Sequence, residues 1–257
     1  MEAFAQTLPF TLRDLRALLR QPWYVAITLV QPVIWLLLFG ALFKSVAQVP
    51  GFTDGSYVEF LAPGIVIMVA LFSSGWSGMG TIQDLDRGVM DRLLVTPVRR
   101  SSFIAGRVAN SAVGIAVQSV IIVVLALAIG ASFPNGVVGI LVLIAFAALL
   151  GMTFAAFSNG VALRARKEET MIGAVQFIIL PLSFTSATFM QQDLMPGWMQ
   201  TVSKFNPVNW AVEAGRQAAT GAIDWGYIGV RAGLLVALLA LAVAFATRAF
   251  QSYQRSV

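Results

Sequence analysis

The amino-acid sequence predicts an all-α integral membrane protein with six transmembrane helices, and three observations carry that prediction. Apolar residues make up 58% of the 257 residues, charged residues only 11%, and the mean hydropathy is +0.81. A soluble domain typically carries about 25% charge and could not bury this much apolar surface. Six stretches are long and apolar enough to cross a hydrocarbon core of about 30 Å. Basic residues crowd into alternate connections, the pattern that marks cytoplasmic loops. Cys and His are both absent, which excludes disulfides, thiol nucleophiles, His-ligated metals and a Ser-His-Asp triad. The net charge of +5 belongs to those loops and calls for no nucleic-acid partner.

The first 22 residues predict an amphipathic helix ahead of the membrane domain, which occupies 23–257. Leu8, Leu12, Leu15 and Leu19 form one stripe at helical spacing, Arg13, Arg16 and Arg20 form another, and Pro9 suits a first turn. Such a helix lies on the inner leaflet with leucines in lipid and arginines toward phosphates. No cleavable leader is expected, because the first apolar run is about 20 residues long, too long for a signal-peptide core.

The predicted spans are 23–43, 57–80, 108–130, 137–163, 171–190 and 227–246. Pro32, Pro63 and Pro181 lie inside them, which membrane helices tolerate. With this layout 13 of the 17 Lys and Arg fall on one side, including both termini, and four (Lys44, Lys204, Arg216, Arg231) on the other. That asymmetry places both termini in the cytoplasm. The deep polar residues are neutral (Gln31, Asn110, Gln118, Asn159, Gln176), which argues against ion-coupled transport and against intramembrane hydrolysis.

The cytoplasmic connection after span 2 reads DRGVMDRLLVTPVRR, with six charges in fifteen residues. As a helix over 86–96, capped by Asp84 or Asp86 and stopped by Pro97, it places Val89, Met90, Leu93 and Leu94 on one arc. Arg87, Asp91 and Arg92 occupy the rest, beside Gly88. A helix this short is unstable alone and must dock, and mixed charge beside an apolar ridge suits a specific protein surface. At the end of span 2, SSGWSGMG (73–80) sets small residues four apart, which lets helices approach closely. The stretch between spans 5 and 6, about 191–226, is too long for a turn and mixes Trp198, Met199, Phe205 and Trp210 with scattered charge. It predicts interfacial or re-entrant helices on the outer side, with Glu213 and Arg216 on one helix face and able to pair.

Two motifs resemble the membrane subunit of the ABC type-2 exporters, which serve bacterial drug resistance and lipo-oligosaccharide and polysaccharide export. One is Asp86, Arg87, Gly88, Asp91, Leu93, Leu94, Thr96, Pro97 and Arg100; the other is Pro196-Gly197-Trp198, Asn206-Pro207, Glu213 and Arg216, with Met195 where Leu is usual. The nearest subgroup is similar to the daunorubicin-resistance permeases. The resemblance implies a homodimer, or a heterodimer of two permeases, joined to two copies of a separate ATPase that binds ATP and Mg. It implies that the segment at about 84–97 is a coupling helix seated on the ATPase, contacting it through Asp86, Arg87, Gly88, Met90, Asp91, Arg92, Leu93, Leu94 and Pro97. It implies a central path near Phe72, Trp76, Phe177, Phe184 and Phe189, an outer gate at Asn206, Pro207, Glu213 and Arg216, and a place in a bacterial cytoplasmic membrane. The chain itself has no phosphate-binding loop, and none of its three lysines (Lys44, Lys167, Lys204) follows a Gly-rich turn, so it is expected to be a non-catalytic subunit. The expected cargo is a lipophilic or amphipathic antibiotic or lipid; the alternatives are polysaccharide export on the same fold and an ATP-independent carrier or channel.

Overall fold

The computed structural model describes residues 22–45, 56–88 and 100–254, and the described residues are helical with short connections and no strand. The helices are α1 (Pro22–Leu42), α2 (Tyr57–Gly75), α3 (Ser77–Asp86), α4 (Arg100–Ala128), α5 (Gly136–Ala165), α6 (Glu168–Phe184), α7 (Gly197–Ser203), α8 (Pro207–Thr220) and α9 (Trp225–Gln254). Four stretches among them are long and apolar enough to cross a membrane: Tyr57–Asp86, Ile104–Ala128, Gly136–Ala165 and Trp225–Tyr253. Helix α1 adds the shorter apolar stretch Leu29–Leu42, and α6 has 17 residues. The expected amphipathic helix over 1–22 lies outside the described residues, apart from Pro22.

Successive long helices run up and down. One end of the bundle, called here the arginine-rich end, holds Asp84, Arg107, Arg164, Arg166 and Tyr253; the opposite end holds Glu59, Ser132 and α8. Helix α5 is the hub and packs against α9, α4, α8, α2 and α3. Its buried positions include Leu143, Ala147, Leu150, Ala155, Ala156 and Ala162. The many small residues bring neighbouring backbones close, which replaces the missing hydrophobic drive between helices in lipid. A Cβ at Gly160 would sit 2.6 Å from ring atoms of Phe245 on α9. Helix α2 is buried along nearly its whole length, from Phe60 to Leu71. Helices α4 and α9 show Val117, Val120, Val124, Val230, Val236 and Leu241 on the outside, the exposure expected where lipid is the solvent.

Polar groups lock both ends. At the opposite end Glu59 closes a capping box with Ser56, its N–H bonding the Ser56 hydroxyl. The same carboxylate accepts from the backbone N–H of Ser132 (3.0 Å), joining the start of α2 to the α4–α5 connection. At the arginine-rich end the Arg164 guanidinium lies 5.3 Å from the Phe245 ring centroid and Arg166 lies 4.7 Å from that of Tyr253. These cation–π contacts tie the end of α5 to α9, so the RARKEE run is more than a solvated loop.

Three expectations require correction. Span 2 was expected to be one helix over 57–80; it is two, broken at Trp76, and the second continues to Asp86. Span 5 was expected to reach 190; α6 stops at Phe184 and 185–190 is non-helical, where the Ala187 N–H and carbonyl bond to the side chains of Asn209 and Arg216 in place of a helical ladder. Asp84 and Asp86 were expected to open a helix; they form the last turn of α3, followed by Arg87 and by Gly88 at φ 65°. That left-handed position suits glycine and ends the helix.

Gly160→Leu tests the α5–α9 contact. It is expected to lower the thermal midpoint in detergent through overpacking of about 1–3 kcal/mol. Gly229→Leu, at an exposed position with open space beside it, should leave the midpoint unchanged. Equal midpoints for the two variants would remove the contact from the account.

Candidate translocation site

The break at Trp76 grows from the SSGWSG stretch. The Trp76 N–H bonds back to Phe72 and Ser74, and the Met79 N–H bonds only to Trp76, three residues back. The Gly75 carbonyl and the Gly78 N–H are thereby left over. One hydroxyl satisfies both: Ser158 of α5 donates to the Gly75 carbonyl and accepts from the Gly78 N–H at 2.9 Å. The glycine at 78 lets α5 come this near, since a Cβ there would collide with the Ser158 carbonyl. Next to Ser158, Asn159 is fully buried; its carbonyl accepts from the Thr81 hydroxyl, and its amide donates to Ser77 (3.1 Å) and to the Ala155 carbonyl (2.7 Å). A narrow apolar cleft lined by Gly75, Phe154, Met171, Val175 and Ile179 lies beside the break, between α5 and α6.

The five aromatics expected along a path fall into three places in the single chain. Phe72 and Trp76 are half-buried at the break. Phe177 stands alone, 80% exposed on the outer face of α6. Phe184 and Phe189 belong to an aromatic cluster at the opposite end, where Phe189 lies 5.3 Å from Trp35, 5.4 Å from Phe39 and 6.0 Å from Phe184. The cluster continues through Phe43 and Tyr57 to Phe60, and the Tyr57 hydroxyl donates to the Phe189 carbonyl at 3.0 Å.

Two of the expected gate residues, Asn206 and Arg216, form with Asn209 a clamp on the end of α6. Asn206 caps α8, accepting from the Val208 N–H at 2.8 Å, with Pro207 at the first helical position. The amide of Asn206 donates to the Leu182 carbonyl (2.7 Å) and to the Thr185 hydroxyl (3.0 Å). The Asn209 carbonyl accepts from the Ala187 N–H at 2.8 Å. Arg216, buried to 9% exposure, donates to the Ala187 carbonyl (2.7 Å) and, from Nε, to the Phe60 carbonyl (3.1 Å), with its guanidinium 3.7 Å from the Phe60 ring centroid. Three side chains of the α8 segment thus hold the non-helical 185–189 segment against α2. Gly64 permits the approach, since a Cβ there would lie 2.7 Å from the Thr188 carbonyl.

The expected Glu213–Arg216 contact is replaced by other partners. Glu213 accepts from the Tyr227 hydroxyl (2.7 Å) and pairs with Arg231 at 3.5 Å, both on α9. Spacing within one helix cannot foresee a partner on another. Asn209, Tyr57 and Ser158 went unnoticed in the sequence; Asn209 stands three residues after Asn206, one helical turn on, and that spacing was its signal. Of the expected coupling residues, Asp86, Arg87 and Gly88 are the end of α3 and its cap, and Asp86 and Arg87 are exposed. Met90, Asp91, Arg92, Leu93, Leu94 and Pro97 lie outside the described residues.

Residues 5–219 match the family model of the ABC-2 type transporter. The chain is 29% identical over 243 residues to the daunorubicin resistance ABC transporter permease protein DrrB1 of Streptomyces coeruleorubidus, covering 91% of this chain and 83% of that one. It is 26% identical over 229 residues to the inner membrane transport permease YadH of Escherichia coli K12, covering 85% and 82%.

Replacing Arg216 by Met keeps the stem but removes both bonds and strands the Ala187 carbonyl, a loss of about 1–3 kcal/mol. The expected readout is a lower thermal midpoint in detergent and faster proteolysis within 185–206. Wild-type behaviour in both assays would show that the clamp does not hold this segment.

Proposed function

The chain belongs to the ABC-2 type transporter family, and on that premise we propose that it is the membrane permease of an ATP-driven exporter, paired with a separate ATPase chain. The observation that carries this reading is the family match over 5–219 in a chain that has no phosphate-binding loop of its own. ATP and Mg bind the partner, and this chain supplies the path. The up-and-down order of the described helices fits six spans, with α1 and α6 as the first and fifth and both termini cytoplasmic. Two permeases and two ATPases form the working unit in a bacterial cytoplasmic membrane, as a homodimer or with a second permease.

In this reading the segment at about 84–97 seats on the ATPase. Its Leu93 and Leu94 fill an apolar groove, and Arg87, Asp91 and Arg92 set the register by charge. ATP-driven closure of the ATPases pushes that segment, and the motion reaches the break at Trp76 and the clamp at Ala187. The re-entrant region α7–α8 caps the outer exit. The cargo is lipophilic or amphipathic. That choice rests on the aromatic residues at both breaks and on the relative named for daunorubicin resistance.

The test is the mass of the intact complex, purified gently from native membranes through a tag on this 27.6 kDa chain. Two copies of this chain with two copies of a nucleotide-binding chain are expected. Leu93→Asp should release the ATPase while leaving the permease folded. A preparation with no nucleotide-binding chain, identical for the Leu93→Asp variant, would sink the exporter reading.

A further inference from the structure

Helix α3 is pinned on two sides. Toward α5 it is held by Thr81 on Asn159 and by the Ser158 hydroxyl across Gly75 and Gly78. Toward α4 it is held by Arg107, whose Nη2 donates to the Gly80 carbonyl at 3.2 Å and pairs with the Asp84 carboxylate. One turn further along α4, Ser111 bonds the Arg107 carbonyl (3.1 Å) and reaches Ser77 on α3 at 3.5 Å. Gly80 makes room for the guanidinium, since a Cβ there would lie 3.1 Å from Arg107 Nη1. Both partners of the ion pair are largely shielded, with side-chain exposures of 19% for Arg107 and 28% for Asp84.

The position of this pair in the chain gives it a consequence. Asp84 lies two residues before Asp86, where α3 ends; Arg107 lies seven residues after Arg100, where α4 begins. The pair therefore joins the two stems of the 87–99 segment just inside its base. Joined stems move as one body when the segment is pushed, whereas separate stems would splay and absorb the push locally. The far end of that body is the break at Trp76, where α3 meets α2 beside Phe72.

We propose that Arg107 and Asp84 are a positioning pair that turns α3 and the base of α4 into one lever between the coupling segment and the Trp76 break. This rests on the exporter reading above. Arg107 touches neither nucleotide nor cargo in this scheme; it acts by holding Asp84 and the Gly80 carbonyl. A lysine at 107, shorter and without the guanidinium fork, weakens the join between the two stems, and a neutral side chain removes its ion pair, leaving the Ser77–Ser111 contact and the packing of Leu85 against the cluster that includes Ile104 and Val108.

The absence of Cys from the chain allows a direct test. Ser73, exposed one turn before the break, is replaced by Cys in the intact exporter complex. Its labelling by a maleimide is timed without nucleotide and with ATP and vanadate. The expected result is a nucleotide-dependent change of rate in the Ser73→Cys complex. Adding Arg107→Gln should abolish that change while the ATPase still co-purifies and hydrolyses ATP, and Asp84→Arg with Arg107→Asp should restore it. Arg107→Lys should keep part of it, and it serves as the second variant if Arg107→Gln lowers the yield of folded complex. A full nucleotide response in both Arg107→Gln and Arg107→Lys overturns the inference and leaves the exporter reading standing. Loss of response that the exchanged pair does not restore, with the complex intact, also overturns it. A Ser73→Cys complex with no ATPase, or with no nucleotide response at all, overturns the exporter reading and this inference with it.

Discussion

A backbone that leaves its helical ladder inside lipid finds no water to replace the lost hydrogen bonds, and the rest of this structure depends on how that constraint is met. An unpaired peptide group in hydrocarbon costs several kcal/mol. The chain leaves its ladder twice among the described residues of the core, at Trp76 and at 185–189. Each departure is met by side chains from a neighbouring helix. At Trp76 a single serine hydroxyl on α5 serves a carbonyl and an N–H at once. At 185–189 two asparagines and an arginine of the α8 segment serve the carbonyls of Leu182 and Ala187 and the N–H of Ala187. Arg216 is bonded to backbone carbonyls and Asn159 to two hydroxyls and a backbone carbonyl, which explains how a core with so many apolar neighbours keeps them buried; Asn209 is bonded there through its carbonyl oxygen.

The two breaks also explain the arrangement of the bundle. Helix α5 must lie against α2 and α3 for Ser158 and Asn159 to reach the first break, and it does so through glycine and alanine positions. Helix α6 shares little surface with this hub. Only Met171, Val175, Ile179 and Ser183, four apart along one face, are buried, and its end is held chiefly by the α8 clamp. The densely packed part of the molecule is α5 with the helices around it; α6 is attached to it along a narrow seam, with a cleft at Gly75 beside it. For a transporter that must open a path, a thinly attached helix next to a stapled break is where relative motion meets least resistance.

Much of this was readable from the amino-acid string, and the misses have physical causes. Span positions were legible because hydrophobic length is a local property: α1, α4, α5 and α9 begin and end within a few residues of the apolar runs, apart from extra turns at the arginine-rich end. Those extra turns carry Arg100, Arg107, Arg164 and Arg248, which hydropathy assigns to loops although helices continue through them. The break at Trp76 was not legible as a break, because serine and glycine in a membrane helix read equally well as close packing. The gate motif was legible as residues but not as contacts. Asn206 and Pro207 stood in the motif and open α8 in the structure, while Arg216 bonds to Ala187 and Phe60 in place of the carboxylate three residues before it.

The sequence by itself determined that this chain lives in a membrane, where its apolar helices lie, which ends of them carry positive charge, and to which family its two motifs point. Each of those follows from composition, run length or short-range spacing. Tertiary structure alone decided that Ser158 closes the Trp76 break, that Arg216 holds Ala187 and Phe60 while Glu213 turns to Tyr227 and Arg231, and that Arg107 reaches Asp84. The reason is the same in every case. A buried polar group takes whichever complementary partner the packed helices bring within about 3 Å, and those partners lie from 14 to 156 residues away along the chain.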